Sequence, residues 1–412
     1  MGHIIIGAGP AGVTAAETLS KIVPEKGVTL ISGESGPPYA RMAIPYLLSG
    51  SIDEPGTYIR KDAHHFENLG VRLTEDRVLS VDADKQTVNV ASGHTLPYDT
   101  LLVATGSSPS APPINGLDTP GVHACWTLAD AREIMQIAQP GSKIVLMGVG
   151  FVACIILQGL IELVAKGSNI TVIAGPSGRM VRSMMDETAG GMIRRWCEDK
   201  GLRVVSGSRV AKIEDGPKVH MGDGEVLDAD LVIVATGVKP NTDFLDGTGV
   251  EIDEGILIDD YMRTTVPTIF AAGDCAQGYD FTTRERTVHA IQPAAVEHGK
   301  AAALNMAGRN VAYKGALPMN VLNTLDLLAT SIGRWQGIEG GDRVTLVDEE
   351  RYKYMRLEFD KDRLIGAINV GRTDQIGVIR GLIQTRVRLG VWKERLRADP
   401  HRIMEAYLAC TQ

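Results

Sequence analysis

At 412 residues, 44% hydrophobic but only 5% aromatic, the chain has room for two or three domains with large aliphatic cores. A net charge of -8 and a pI near 5.7 argue against nucleic acid as the principal partner, and no apolar run approaches the roughly 18 residues that cross a bilayer. Five scattered cysteines (Cys125, Cys154, Cys197, Cys275, Cys410) without Cys-x-x-Cys spacing speak against disulfides, zinc or an internal iron-sulfur cluster; with a first strand from residue 3, too early for a leader peptide, a soluble cytoplasmic protein is expected.

The first element is a strand built on Ile4, Ile5 and Ile6, and Gly7-x-Gly9-x-x-Gly12 follows at once, opening a helix that includes Ala15, Ala16 and Leu19. In this pattern Gly7 makes the tight turn, Gly9 lets backbone approach a pyrophosphate, and Gly12 lets helix pack on strand. The helix N-terminus favours a bridging diphosphate. A second apolar strand (28–31) ends just before Glu34, about 20 residues past the loop, where a carboxylate accepts hydrogen bonds from ribose hydroxyls. The plain alternative for Glu34 is a solvated turn acid. Residues 37–46, punctuated by prolines, predict a loop and short helix carrying Arg41, suited to a phosphate or an adenine face unless it is simply a solvated surface arginine. Residues 71–103 alternate apolar and polar positions and predict an antiparallel meander, closed by a buried strand that runs into Thr105-Gly106.

The series then repeats. A strand (143–147) leads into Gly148-x-Gly150-x-x-Ala153, an apolar helix (155–164), a strand (170–174), a second meander (204–226) and a strand ending in Ala235-Thr236-Gly237. Two ordered copies of one series at similar spacing imply two nucleotides. Proline and glycine at 109–121 and 239–241 mark linkers, and the chain returns through a buried strand to Gly273-Asp274, a carboxylate suited to a polyhydroxyl chain such as ribitol. Pro293 opens an alanine-rich helix to about 305. The last hundred residues predict strands at 343–347, 352–359 and 364–370, then a helix over 375–389. From 351 to 402 there are 13 Lys and Arg against 6 Asp and Glu, either a solvated face or a dock for an acidic redox partner.

Two dinucleotide loops, two Ala-Thr-Gly turns and Ala-Ala-Gly-Asp in this order make the chain similar to the FAD-dependent pyridine nucleotide-disulfide oxidoreductase superfamily over about residues 1–315. Segment 38–46 resembles the branch with rubredoxin reductases, the flavin part of NADH-dependent nitrite reductases and NADH oxidases. The resemblance implies an α/β fold with two Rossmann-like domains, each with a small meander, plus an α+β C-terminal domain. The expected segments are 1–112 (FAD), 113–240 (NAD(P)), 241–315 (FAD again) and 316–412 (partner docking). It implies FAD on Gly7, Gly9, Gly12, Glu34, Arg41, Thr105, Gly106 and Asp274. It also implies NAD(H) or NADP(H) on Gly148, Gly150, Ala153 and Gly237, with Phe151 as an aromatic gate over the flavin.

Met42 stands where relatives carry a redox cysteine, and a thioether forms neither disulfide nor thiolate. Electrons are therefore expected to leave the flavin directly for an iron-sulfur or ferredoxin-like protein docking on the C-terminal region. No side chain is identified as acid or base. Ile155 and Tyr46 replace a glutamate and lysine that steady nicotinamide in many relatives, and Ala174-Gly175 replaces an acid, with Arg179 and Arg182 nearby. The rival readings are a subunit of a complex such as a 2-oxoacid:NAD oxidoreductase, a stand-alone NADH oxidase or small-molecule reductase, and a nucleotide sensor. A homodimer and membership of a larger complex both stay open.

Overall fold

The computed structural model of the chain describes residues 2–411. The chain forms two compact units, one from Met1–Ala43, Ile52–Ser108 and Val238–Leu317, the other from Ile44–Ser51, Pro109–Gly237 and Pro318–Gln412. The α/β class and the two Rossmann-like folds are as the sequence implies.

In the first unit, Gly2–Ile6 lies between Val28–Ser32 and Thr95–Val103, all parallel, with Ile5 opposite Leu30 on one side and Leu102 on the other. Ile269–Ala271 extends the sheet beyond Thr95–Val103. Where they are buried on both faces these strands carry short apolar runs, Ile4–Ile6, Leu30–Ile31 and Leu101–Val103, as parallel sheets require. Val71–Glu75, expected in the antiparallel meander, instead pairs parallel with Val28–Ser32 at the sheet edge. An edge strand is only half covered, so its alternation looks the same as that of a meander. The meander proper is Val78–Asp82 and Thr87–Val90, which pair antiparallel with each other, and Thr87–Val90 then pairs antiparallel with the early part of Thr95–Val103. Helix Pro10–Ile22 packs on helix Gln292–Met306 at very short range: a Cβ on Gly299 would lie 2.2 Å from the Ala11 carbonyl oxygen. The alanines of both helices serve that approach.

The second unit repeats the plan. Its parallel sheet runs Arg203–Val205, Asn169–Ile173, Lys143–Met147, Leu231–Val234, Val122–Ala124. Val204, expected in the second meander, is thus the parallel edge here, the same error for the same reason; that meander is Val210–Glu214, Lys218–Met221 and Val226–Asp228. The C-terminal part is a five-stranded antiparallel sheet, in the order Met319–Thr324, Leu327–Gly333, Arg363–Val370, Lys353–Asp360, Asp342–Asp348. The hairpin of its first two strands was not expected from the sequence. Helix Ile376–Thr385 ends four residues short of the expected 389, because Arg386 turns left-handed (φ 52°) and caps it; Val391–Ala398 and Ile403–Cys410 follow. Arg356 ties the C-terminal sheet to helix Glu187–Asp199: its guanidinium donates to Asp186 at 2.9 Å and to Glu358 at 2.5 Å, both partners holding this buried charge. No described helix is long and apolar enough to cross a membrane.

Candidate dinucleotide sites

In the first unit the loop geometry follows from its glycines. Gly7 has φ 107°, and a Cβ there would lie 2.2 Å from the Ala104 carbonyl oxygen. The alanine of Ala104-Thr105-Gly106 is therefore what makes a glycine obligatory at Gly7. Gly7 N–H donates to the Ile31 carbonyl at 2.8 Å, and Ala104 N–H to Ile6 at 2.8 Å. A Cβ on Gly12 would sit 1.8 Å from the Gly7 oxygen, so only glycine lets the helix start there. Gly9, by contrast, faces open space, with no atom within 4 Å of its Cβ position. It caps helix Pro10–Ile22 without any side-chain hydrogen bond, leaving amide donors and the positive dipole end for an anion.

Glu34 and Arg41 form one half-exposed group: the carboxylate accepts from the Arg41 guanidinium at 2.5 Å and from the Tyr39 hydroxyl. Exposed pairs of this kind hold with only about 0–1 kcal/mol, so the Glu34 carboxylate can exchange Arg41 for ribose hydroxyls. Burial pushes the Asp274 carboxyl up, against the opposing charge of Arg41 and the hydroxyl of Ser107. Glu34, Arg41 and Asp274 thus act on one neighbourhood, while Thr105-Gly106 is held by a segment distant in sequence. Thr105 Oγ1 donates to the Asn241 carbonyl at 2.7 Å, Asn241 Nδ2 donates back to Thr105 O at 3.0 Å, and Asn241 N–H donates to Gly106 O at 3.0 Å. The sequence marked Asn241 only as linker; its clamp has no local signal, since the partners are 136 residues apart.

The second unit copies these features. Gly148 has φ 116°, with its Cβ position 2.3 Å from the Ala235 oxygen. Gly148 N–H donates to Ile173 at 3.1 Å and Ala235 N–H to Met147 at 2.8 Å. Gly150 is open on its Cβ side and caps helix Phe151–Ala165 with φ -75° and ψ -175°, against -77° and -175° at Gly9. Phe151 is the first helical residue and half-buried, and Ala153 is fully buried. Gly237 O accepts from Ser110 N–H at 2.9 Å, and Thr236 Oγ1 donates to Ser110 O at 3.2 Å. Helix Ile44–Leu48 packs on the same helix at Gly159, where a Cβ would lie 2.9 Å from the Pro45 carbonyl oxygen. It carries Tyr46, 59% exposed, while Ile155 is half-buried.

Sulfur is set aside. Met42, 47% exposed, lies in the single turn Arg41–Ala43. Cys125, Cys154, Cys197 and Cys275 are buried, all five cysteines are free, and burial pushes the Cys125 and Cys197 thiols up to about 12. Protonated, enclosed thiols are poor nucleophiles. No cluster of metal-ligating side chains occurs among the described residues. Sequence reading also missed a buried array in the first unit: Asp280 accepts from both Thr282 and Thr283 and pairs with His289 Nε2 at 3.0 Å, and His298 meets the Tyr313 ring edge-on at 5.1 Å. Widely spaced histidines carry no pattern that announces it.

Both cradles fit a dinucleotide: open glycines, uncapped helix starts and, in the first, the carboxylates of Glu34 and Asp274. The fold and these loops define a reductase with two dinucleotide sites. Residues 1–299 match the family described as Pyridine nucleotide-disulphide oxidoreductase, and residues 318–387 match the Rubredoxin NAD+ reductase C-terminal domain. The chain belongs to the pyridine nucleotide-disulphide oxidoreductase family and is an FAD-dependent NAD(P)H oxidoreductase.

Among its relatives, the NADH-dependent phenylglyoxylate dehydrogenase subunit epsilon of Aromatoleum evansii is 33% identical over 404 residues, 97% of this chain and 95% of that one. The assimilatory nitrate reductase electron transfer subunit of Bacillus subtilis (strain 168) is 31% identical over 392 residues, 93% of this chain and 49% of that one, so this chain spans about half of its length. A chain of the covalent putidaredoxin reductase-putidaredoxin complex shares the fold at TM-score 0.90 and 22% identity, over 100% of this chain and 99% of that one.

Proposed function

We propose that this protein takes electrons from NAD(P)H and passes them to an external iron-sulfur or ferredoxin-like protein. The duplicated cradle, in a chain that has no cysteine pair and keeps four of its five thiols buried, carries this reading. Bound FAD would supply the chemistry, exchanging hydride with the nicotinamide ring and single electrons with the acceptor. Gly7, Gly9 and Gly12 admit its diphosphate to the helix start; Glu34 and Arg41 take the adenosine half; Asp274 takes the ribitol hydroxyls; Thr105 and Gly106, braced by Asn241, form the wall beside it. Gly148, Gly150, Ala153 and Gly237 do the same for the nicotinamide nucleotide, and Phe151 is the gate that its ring displaces. We assign these roles to the four sequence segments, with 316–412 as the docking region. Five free cysteines suit the reducing cytoplasm.

Support for docking at the C-terminal region comes from the match there to a rubredoxin reductase domain and from its basic excess. Lys393 is already paired with Asp342, whereas Arg388 is exposed and Arg395 lies 4.6 Å over the Trp392 ring. Reversing Arg388 and Arg395 to glutamate should slow reduction of the partner severalfold at low salt, with the difference shrinking as salt rises. Stopped-flow rates equal to those of the parent protein at every ionic strength would remove the dock from this region. A second reading, a subunit of a larger oxidoreductase, is favoured by the end-to-end match to a dehydrogenase subunit. Purification from the native source separates the two: a free reductase elutes alone, a subunit with iron-sulfur polypeptides. Rapid turnover with oxygen and no added protein would support an oxidase instead.

A further inference from the structure

The two nucleotide halves differ at the end of the second strand of each sheet, and this difference bears on which nicotinamide nucleotide is used. In the first unit Val28–Ser32 is followed by Gly33 and Glu34, and Glu34 holds Arg41. In the second, Asn169–Ile173 is followed by Ala174, Gly175, Pro176, Ser177, Gly178 and Arg179, with no acid before Asp186. Asp186 is committed elsewhere. It caps helix Glu187–Asp199 by accepting from Ala189 N–H at 2.9 Å, and it also binds the Tyr354 hydroxyl at 2.5 Å and Arg356 at 2.9 Å.

The segment that replaces the acid is folded onto the loop that would hold the diphosphate. Val181 N–H donates to the carbonyl of Val149, the residue between Gly148 and Gly150, at 2.8 Å. Val181 is fully buried in a left-handed conformation, φ 50°. A β-branched residue adopts that conformation only where its surroundings force it, and such outliers gather at ligand sites. Arg179 and Arg182 flank this anchor. The Arg179 guanidinium donates to the Arg182 carbonyl at 3.0 Å, and its stem packs along Gly190. Arg182, Ser177 and Ser183 are exposed. Among the described ion pairs neither arginine has a carboxylate partner, whereas the corresponding cation of the flavin half is neutralised by Glu34.

A carboxylate at this strand end binds the two hydroxyls of an unmodified ribose and repels a phosphate there; arginine with hydroxyl donors does the reverse. We propose that the second site selects a nucleotide with a 2′-phosphate, so that NADPH is preferred over NADH, and that Arg179 and Arg182 receive that phosphate. The inference rests on reading Gly148 to Ala153 as the nicotinamide-nucleotide loop.

Two measurements on the flavin-loaded protein test it. In calorimetry, 2′,5′-ADP should bind roughly tenfold or more tighter than 5′-ADP, and the difference should narrow in high salt. In anaerobic stopped flow, the rate of flavin bleaching at low nucleotide concentration should favour NADPH by a similar factor. Arg182→Glu, at an exposed position that does not disturb packing, should lower the NADPH-to-NADH ratio at least tenfold, and Arg179→Gln should lower it less. Equal binding of the two ADP isomers, or a preference for NADH in the parent protein, overturns the 2′-phosphate site while the reductase reading stands. Failure of both nucleotides to bleach the flavin overturns the reductase reading, and the calorimetric comparison still decides whether a 2′-phosphate is recognised.

Discussion

The two nucleotide halves agree at the first two loop glycines and diverge at the third loop position and at the strand ends. Gly7 and Gly148 share a left-handed turn pressed against an alanine carbonyl, and Gly9 and Gly150 share an open, uncapped helix start. At the third loop position the halves part. Gly12 has no space for a methyl group, while Ala153 carries one and is fully buried. The carboxylate Glu34 has no counterpart after Ile173. The construction of the cradle is thus common, and the side chains at the strand ends are where the two halves part.

The sharpest way to break this comparison is to exchange the third loop residues. Gly12→Ala places a methyl carbon against the Gly7 oxygen and should cost about 3 kcal/mol or more, with loss of FAD. Ala153→Gly removes a methyl group that has room and should cost about 1 kcal/mol. Thermal melts of both variants with visible absorbance per protein check the contrast; equal costs would mean that the two loops are packed alike.

Acid should separate the halves by nearly as much. Burial, with a smaller push from the neighbouring His289 charge, takes His298 down to about 4. A histidine held neutral in the fold contributes its stability above the unfolded value near 6.5 and loses it as pH falls toward 4, on the order of 3 kcal/mol. Asp280 is taken to about 2: burial opposes ionisation, but hydrogen bonds from His289, Thr282 and Thr283 outweigh it. Its contribution is present above the usual carboxylate range and disappears as pH falls through about 2. Both groups lie in the first unit, and all four tryptophans lie in the second. Flavin release should therefore begin at a higher pH than the change in tryptophan fluorescence; a tryptophan change that comes first would contradict the assignment.

Smaller still in its effect on the fold is filling the open glycines. The Cβ positions of Gly9 and Gly150 meet nothing within 4 Å. Gly9→Val should leave the flavin-free protein's melting temperature nearly unchanged and abolish flavin retention. Gly150→Val should keep the flavin and weaken its reduction by nicotinamide nucleotide at least tenfold. A yellow Gly9→Val protein with full flavin content would take the diphosphate away from that loop.

Much of this was legible in the sequence because the cradle is local. Strand, glycine loop and helix are contiguous, and both copies read correctly from residue types alone. The edge strands Val71–Glu75 and Arg203–Val205 were misassigned because half-buried parallel and antiparallel strands share one periodicity. Helix Ile376–Thr385 was drawn too long because apolar spacing continues through Val387, whereas the left-handed turn at Arg386 carries no residue signature. The Asn241 clamp joins residues 136 apart in the chain, and the Asp280, His289 and His298 array, although confined to residues 280–298, has no spacing that announces a contact before the chain folds.

The central claim is a flavin reduced by nicotinamide nucleotide in a chain with no sulfur relay, and anaerobic reductive titration of the purified protein tests it most directly. One two-electron equivalent of NADPH or dithionite per FAD should bleach the flavin completely, with no equivalent consumed before or after. Uptake of a second equivalent per flavin, or protein that stays colourless after reconstitution with FAD, would contradict the account.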